Sequence, residues 1–277
     1  MEKFNSNSNE QLSIEFNEQI SRDIGNFVLR FAKQEGSIDS PEIFTTVQGE
    51  GRNIGRPVVF ARLSGCNLQC SWCDTPYTWV FNDKMAKLHD KGEVYDRENE
   101  QVLLNVGEAV DIVSGEKLDR LVITGGEPMQ QQKSLAPFIK ELKRNNPLQW
   151  VEIETNGTIT PSEEMIELVD QFNVSPKLEN SNNELKRRMK DNSMKTLSKL
   201  DKADFKFVVF NDEDLPEILE IVEKYSIPHE RVFLMPEGRT EEEVNRHQEE
   251  LVEVAKENNF NLTTRLHVLI WGAKRGV

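Results

Sequence analysis

Cysteine is scarce: the chain has three in 277 residues, all between Cys66 and Cys73. An odd number excludes a framework built only of internal disulfides, and their crowding into one short polar segment is unlike scattered core thiols. Long apolar runs are also missing. No stretch of about 18 uninterrupted apolar residues occurs, so no membrane-spanning helix is expected. Positive charge is in deficit. The 34 Lys and Arg face 48 Asp and Glu, a formal net charge of −14. Direct binding of nucleic acid or an anionic membrane is therefore not expected. Met1–Asn9 carries Asn and Ser where a secretion signal needs an apolar core, which predicts a cytoplasmic protein. Repeats of fixed period and low-complexity linkers are absent.

What is present divides at about residue 40. Residues 1–40 read as an N-terminal extension, in which Leu12–Lys33 predicts an amphipathic helix. Phe16, Ile20, Ile24, Phe27 and Phe31 fall on one face, suited to packing on the body or on a second subunit. Glu15, Glu18 and Asp23 argue against a mitochondrial presequence. Residues 41–277 read as one α/β domain. Apolar strands are expected at Val58–Leu63, Leu121–Thr124, Trp150–Glu154, Phe172–Ser175, Phe205–Phe210, Val232–Met235 and Leu266–Ile270. Helices are expected at Gln101–Ser114, Gln131–Arg144, Ser162–Asp170, Glu184–Lys199, Glu213–Lys224 and Thr240–Asn258. Strands alternating with helices predict a parallel sheet, here an open, partial TIM-like barrel of about six strands. In such a fold the site lies at the C-terminal ends of the strands. Asn82–Gln101 is a polar insertion, either a lid or a tolerated surface loop. The basic stretch Ser181–Lys206 suits a docking patch or a solvated face. His267 alternates within its expected strand, which suits a structural role.

The cysteines have the spacing C-x3-C-x2-C (Cys66, Cys70, Cys73) directly after a strand. Three thiolates at these offsets can hold a [4Fe–4S] cluster and leave one iron open to another ligand. Zinc would want a fourth protein ligand, and the nearest histidine in sequence is His89. A redox pair of Cys70 and Cys73 leaves Cys66 unexplained. Two further motifs accompany the loop. Leu121–Pro128 is an apolar strand ending in Gly125-Gly126-Glu127-Pro128, where glycines permit close backbone approach. Before the first strand stands Gln48-Gly49-Glu50-Gly51, whose amide and carboxylate suit a pterin or purine edge.

The C-x3-C-x-aromatic-C loop with GGEP resembles the signature of radical S-adenosylmethionine (SAM) enzymes. The wider set, QGEG, the cysteine loop, TGGEP, ETNGT, VSPK and the closing LHVLIWGAKRGV, resembles the 7-carboxy-7-deazaguanine synthase family from Pro41 to Val277. The resemblance implies a carbon–nitrogen lyase of queuosine or other deazapurine biosynthesis. It would contract 6-carboxy-5,6,7,8-tetrahydropterin to 7-carboxy-7-deazaguanine with loss of ammonia. It implies cluster ligands Cys66, Cys70 and Cys73, and Mg²⁺ on Thr75. It implies SAM contacts at Trp72, Cys73, Asp74, Gly126, Ser175, Pro176 and Lys177. Substrate contacts would be Val47, Gln48, Gly49, Glu50, Arg62, Thr124 and Val277, with Arg62 on the substrate carboxylate. Glu154, Thr155 and Asn156 would line the site. An external electron donor such as flavodoxin and a homodimer are implied as well. The rival readings are another radical SAM enzyme, such as a glycyl-radical activase, and a non-enzymatic zinc-binding protein.

Overall fold

A computed structural model of the protein describes residues 25–277. Residues 12–24 of the expected N-terminal helix lie outside the described residues. Ten strands form one mixed sheet: β1 (Val28–Ala32), β2 (Ile43–Val47), β3 (Pro57–Leu63), β4 (Gln101–Asn105), β5 (Arg120–Gly125), β6 (Trp150–Thr155), β7 (Gln171–Val174), β8 (Ala203–Val209), β9 (Val232–Pro236) and β10 (Asn261–Leu262). The order is β10-β9-β8-β7-β6-β5-β3-β1-β4, with β2 added on β3. From β3 to β10 every neighbouring pair is parallel. The remaining pairs, which involve β1, β2 and β4, are antiparallel. The fold is thus mixed α/β with a largely parallel, open sheet.

The two faces of the parallel strands differ in chemistry. On one, Leu121, Ile123, Val151, Ile153, Phe172 and Phe205 are wholly buried in the main core. Helices Gln132–Asn145, Leu215–Tyr225 and Glu241–Asn258 add Phe138, Ile139, Ile218 and Leu251 to that core. The period-2 alternation sends the intervening residues to the other face. There Glu152, Asn173, Asp204 and Lys206 are also buried. Of the apolar strands expected from sequence, β6, β7 and β8 thus carry buried polar residues on the second face, whereas β9 is apolar on both.

Several local expectations are corrected. Val28–Ala32 is not the end of a helix but strand β1, with Leu29, Phe31 and Ala32 fully buried. It lies between β3 and β4, so this part of the extension belongs to the body of the sheet. Leu266–Ile270 is not a strand. It lies in the helix Leu266–Trp271, and Leu266 N–H donates to Gly49 O at 2.9 Å. Gln101–Ser114 is split into β4 and the helix Val106–Gly115, whose Asn105 cap exchanges bonds with Glu108. Glu184–Lys199 is two short helices, Leu185–Arg188 and Asp191–Leu197. They are separated where Arg188 turns inward onto Glu217. Among the described residues no helix is long and apolar enough to cross a membrane.

Candidate active site

The C-terminal ends of the parallel strands open into a cleft of about 320 Å³. The cysteine loop leaves β3 and forms one wall, with Cys66, Cys70, Trp72, Cys73, Asp74 and Thr75 all lining the cleft. Side chains from distant segments fasten the loop. Asn183 accepts from Gln69 N–H at 2.9 Å and donates to Cys70 Sγ at 3.3 Å. Asn67 donates to Thr158 at 2.7 Å and accepts from Asn156 at 3.0 Å. Arg187 donates to Asn67 O at 2.9 Å and Gln69 Oε1 at 3.0 Å, so this part of the basic stretch is spent on the loop. Trp72 donates its indole N–H to Asn180 O at 3.1 Å, and Lys177 Nζ stands 5.7 Å from its ring.

The polar insertion packs against the loop and sends Lys91 to the cleft lining. Trp79, Val80 and Ala86 form a small apolar cluster against Cys66 and Cys73. His89 is buried, its Nε2 2.8 Å from Cys73 O, and Lys91 N–H donates to its Nδ1. With Nδ1 accepting from Lys91 N–H, Nε2 is the nitrogen that donates to Cys73 O. His89 is thus a brace for the loop, not a ligand.

Burial pushes the Cys70 thiol up to about 11 and raises Cys66 and Cys73 too. Thiols so shielded ionise only with a strong cation at hand, as binding of metal supplies. Among the described residues no three His, Cys, Asp or Glu side chains converge on a single metal ion. A donor set of three thiols spread around one loop fits a cluster, in which each thiolate takes its own iron. One tetrahedral zinc would want a fourth protein ligand, and His89 is held by Cys73 O and Lys91 N–H.

The GGEP turn packs against this loop backbone to backbone. A Cβ on Gly125 would sit 1.9 Å from Leu63 O, and one on Gly126 would sit 2.1 Å from Gly65 O. Gly126 N–H and Glu127 N–H donate to Leu63 O and Gly65 O at 3.0 and 2.8 Å. Glu127 is wholly buried. Its carboxylate accepts from Met129 N–H, Thr155 Oγ1 and Asn156 N–H at 3.0, 2.7 and 2.7 Å. Burial raises its pKa, although these donors oppose the rise. Thr155 and Asn156 are therefore partners of Glu127.

The floor of the cleft is a lattice of charge. Lys206 bridges Glu50 and Glu154, the latter at 2.9 Å. Burial favours the neutral form of Glu50, but Lys206 and Arg265 overcome it and hold Glu50 well below the usual carboxylate range. Gln48 donates to Glu152 at 2.5 Å and Glu154 at 3.1 Å. Asn53 and Asn173 also donate to Glu152, at 2.7 and 2.5 Å. Burial first, then Glu154, pushes Glu152 up to about 7. Gly49 has no room for a side chain, since a Cβ would meet His267 Nδ1 at 2.3 Å. His267 itself lines the cleft, and burial lowers its pKa although Glu50 opposes the fall.

A second carboxylate, Glu42, organises the far end. It is fully buried and takes Arg62 Nε at 2.7 Å, Arg275 Nε at 3.1 Å and the Tyr77 hydroxyl at 3.1 Å. Arg62 sits in register with Thr124 on β5, and both line the cleft. Among the described residues Arg62 has no hydrogen bond from either Nη. Arg275 also pairs with Glu100 at 2.8 Å and lies 3.5 Å over the Tyr77 ring. Gly272–Val277 is therefore anchored, and it lines the cleft.

The cleft brings together the expected residues Val47, Gln48, Gly49, Glu50, Arg62, Thr124, Gly126, Ser175, Lys177 and Val277 with the cysteine loop. Pro176 does not line it. Lys206, Arg265, Glu42 and Glu152 belong to no motif singled out above, and His267, expected to be structural, lines the cleft. Glu152 and Glu154 alternate within β6, as Asp204 and Lys206 do within β8. Charge at period 2 in an apolar strand is a signal for the first two pairs. Arg265 and Glu42 carry none.

Residues 47–198 match the family of 4Fe-4S single cluster domains. The 7-carboxy-7-deazaguanine synthase of Pyrobaculum aerophilum is 37% identical over 236 residues, spanning 85% of this chain and 95% of that one. The chain belongs to this family. Its Bacillus subtilis member is 32% identical over 255 residues, with 85% and 97% covered. The member from Rhodopirellula baltica is 31% identical, with 87% and 90% covered. The crystal structure of QueE from Escherichia coli shares the fold, with a TM-score of 0.61 at 22% identity over 86% of this chain and 95% of that one.

Proposed function

We propose that the protein converts 6-carboxy-5,6,7,8-tetrahydropterin to 7-carboxy-7-deazaguanine with loss of ammonia, as a carbon–nitrogen lyase of queuosine or other deazapurine biosynthesis. The observation that carries this reading is the meeting, in one cleft, of the cysteine loop with Arg62 and the Gln48–Glu50 loop. Cys66, Cys70 and Cys73 would hold the cluster, which with SAM would supply radical chemistry for removing hydrogen from the substrate. The chain's own residues bind and orient. Arg62 offers its free Nη fork to the substrate carboxylate, a pairing of planar, charge-assisted geometry. Gln48 and Glu50 present the pterin edge, with Gln48 fixed by Glu152 and Glu154. Trp72, Asp74, Gly126, Ser175 and Lys177 would hold SAM, and Thr75 would hold Mg²⁺. Lys206 and Arg265 pair with Glu50 and Asp74, which leaves the Arg62 guanidinium to meet the anionic substrate. The catalytic body is 41–277, with β1 of the extension completing its sheet. The protein acts in the cytoplasm as a homodimer and draws electrons from a flavodoxin-like donor.

The test is anaerobic. Protein reconstituted with iron and sulfide is mixed with SAM, Mg²⁺, dithionite and the carboxytetrahydropterin. The expected result is 7-carboxy-7-deazaguanine. Cleavage of SAM without that product would favour a different radical SAM reaction, such as activation of a glycyl-radical protein. Zinc without sulfide would remove the cluster and the reading with it.

A further inference from the structure

Arg265 stands at the start of the helix Leu266–Trp271 and is only 6% exposed. Each of its three guanidinium nitrogens goes to a different part of the chain. Nε faces Glu50 Oε1 at 3.3 Å, on the loop after β2. Nη1 donates to Gly238 O at 2.5 Å, on the loop after β9. Nη2 donates to Asp74 Oδ2, between Cys73 and Thr75 on the cysteine loop. The next residue adds a fourth tie, Leu266 N–H to Gly49 O at 2.9 Å. Glu50 and Asp74 thus both bond to one guanidinium. Without a cation between them the two loops would repel.

We infer that Arg265 is a positioning residue that yokes the Gln48–Glu50 loop to the cysteine loop, so that the pocket for the substrate is in register with the pocket for the cofactor. This rests on the roles proposed above for those two loops. A planar guanidinium can serve three acceptors on three elements, whereas a lysine ammonium on a flexible stem cannot keep that geometry. The neighbouring Lys206 binds the other oxygen of Glu50 but makes no contact with the cysteine loop. It holds the substrate side, and among the described residues Arg265 is the side chain that hydrogen-bonds to both loops.

The experiment uses the full, cluster-loaded chain. Binding of 6-carboxy-5,6,7,8-tetrahydropterin is titrated before any reductant is added, and iron and sulfide are counted in the same samples. Arg265→Lys is expected to raise Kd about tenfold, the scale of one lost charge-assisted pairing, with iron and sulfide unchanged. KM should rise with Kd while kcat falls less, and more 5′-deoxyadenosine should escape per product formed. The double variant of Arg265→Lys with Glu50→Gln should bind within about twofold of Glu50→Gln alone, because coupled residues are not additive. Unchanged Kd in Arg265→Lys would overturn the inference. So would effects that multiply in the double variant, or a loss of binding that only follows a loss of iron and sulfide. If Arg265→Lys does not fold, Asp74→Asn cuts one arm at a half-exposed carboxylate and is read in the same way, with about a threefold rise expected. A wild-type protein that neither binds nor converts the pterin defeats the proposed function itself. A wild-type protein that does both, alongside variants that match it, defeats only the role of Arg265.

Discussion

Glu152 is a carboxyl group placed where its charge is disfavoured. It lies on β6, 1% exposed, beside Glu154, and its pKa rises from 4.5 to about 7. The sign of the consequence follows from proton counting. Between about pH 4.5 and 7 the unfolded chain has released this proton while the folded chain keeps it. Stability therefore falls as pH rises through that window and levels off above it. Glu152→Gln removes the titration. Urea unfolding at pH 5, 6, 7 and 8 should show a downward slope in the wild type that is shallower in the variant; parallel curves would refute it. The residue was legible in part. In Val151-Glu152-Ile153-Glu154 the acidic residues alternate with apolar ones, which marks a strand with one polar face. What the alternation could not show is that both faces are covered, because that depends on the loop around Gln48 folding over β6.

At the scale of elements, the GGEP turn is held from the next strand. Glu127 takes a hydroxyl and two main-chain N–H groups, and Thr155 and Asn156 belong to the end of β6. Removing the carboxylate leaves those buried donors without a partner. Glu127→Ala is expected to lower the unfolding free energy by about 3 kcal/mol, measured by urea denaturation of the metal-free protein. A loss below about 1 kcal/mol would show that water replaces the carboxylate. The parallel strands were readable because each is a short apolar run bounded by polar segments. The errors have physical causes. Phe27 and Phe31 are spaced as on a helix, yet Leu29 and Phe31 alternate inward on β1. Asn105 and Glu108 form a capping box that could have placed the helix start correctly. Leu266–Trp271 has strand-like composition. Its helical turn is set by contacts with Gly49 that lie more than two hundred residues away in sequence.

At the scale of the molecule, a chain of net charge −14 gathers Arg62, Lys206, Arg265 and Arg275 around one cleft. Arg275 joins the last residues to Glu42, Glu100 and the backbone of Lys33, and so ties them to the β1–β4 side of the sheet. Arg275→Ala leaves buried Glu42 with one cation fewer. It should lower stability by about 2 kcal/mol and raise KM for the carboxylated substrate, since Arg62 shares the same carboxylate. Calorimetry together with steady-state kinetics would check both, and a variant with unchanged KM would sever the tail from the site. Finally, Gly125 and Gly126 touch the backbone of Leu63 and Gly65 with no space for a methyl group. The cysteine loop and the GGEP turn are thus a single mechanical part made from two distant stretches of chain. The polar segment Asn82–Gln101 lies between them in sequence and braces the cysteine loop through His89, but the two contact points can only change together. A designer who wished to graft the cysteine loop onto another scaffold would have to transplant the glycine turn with it.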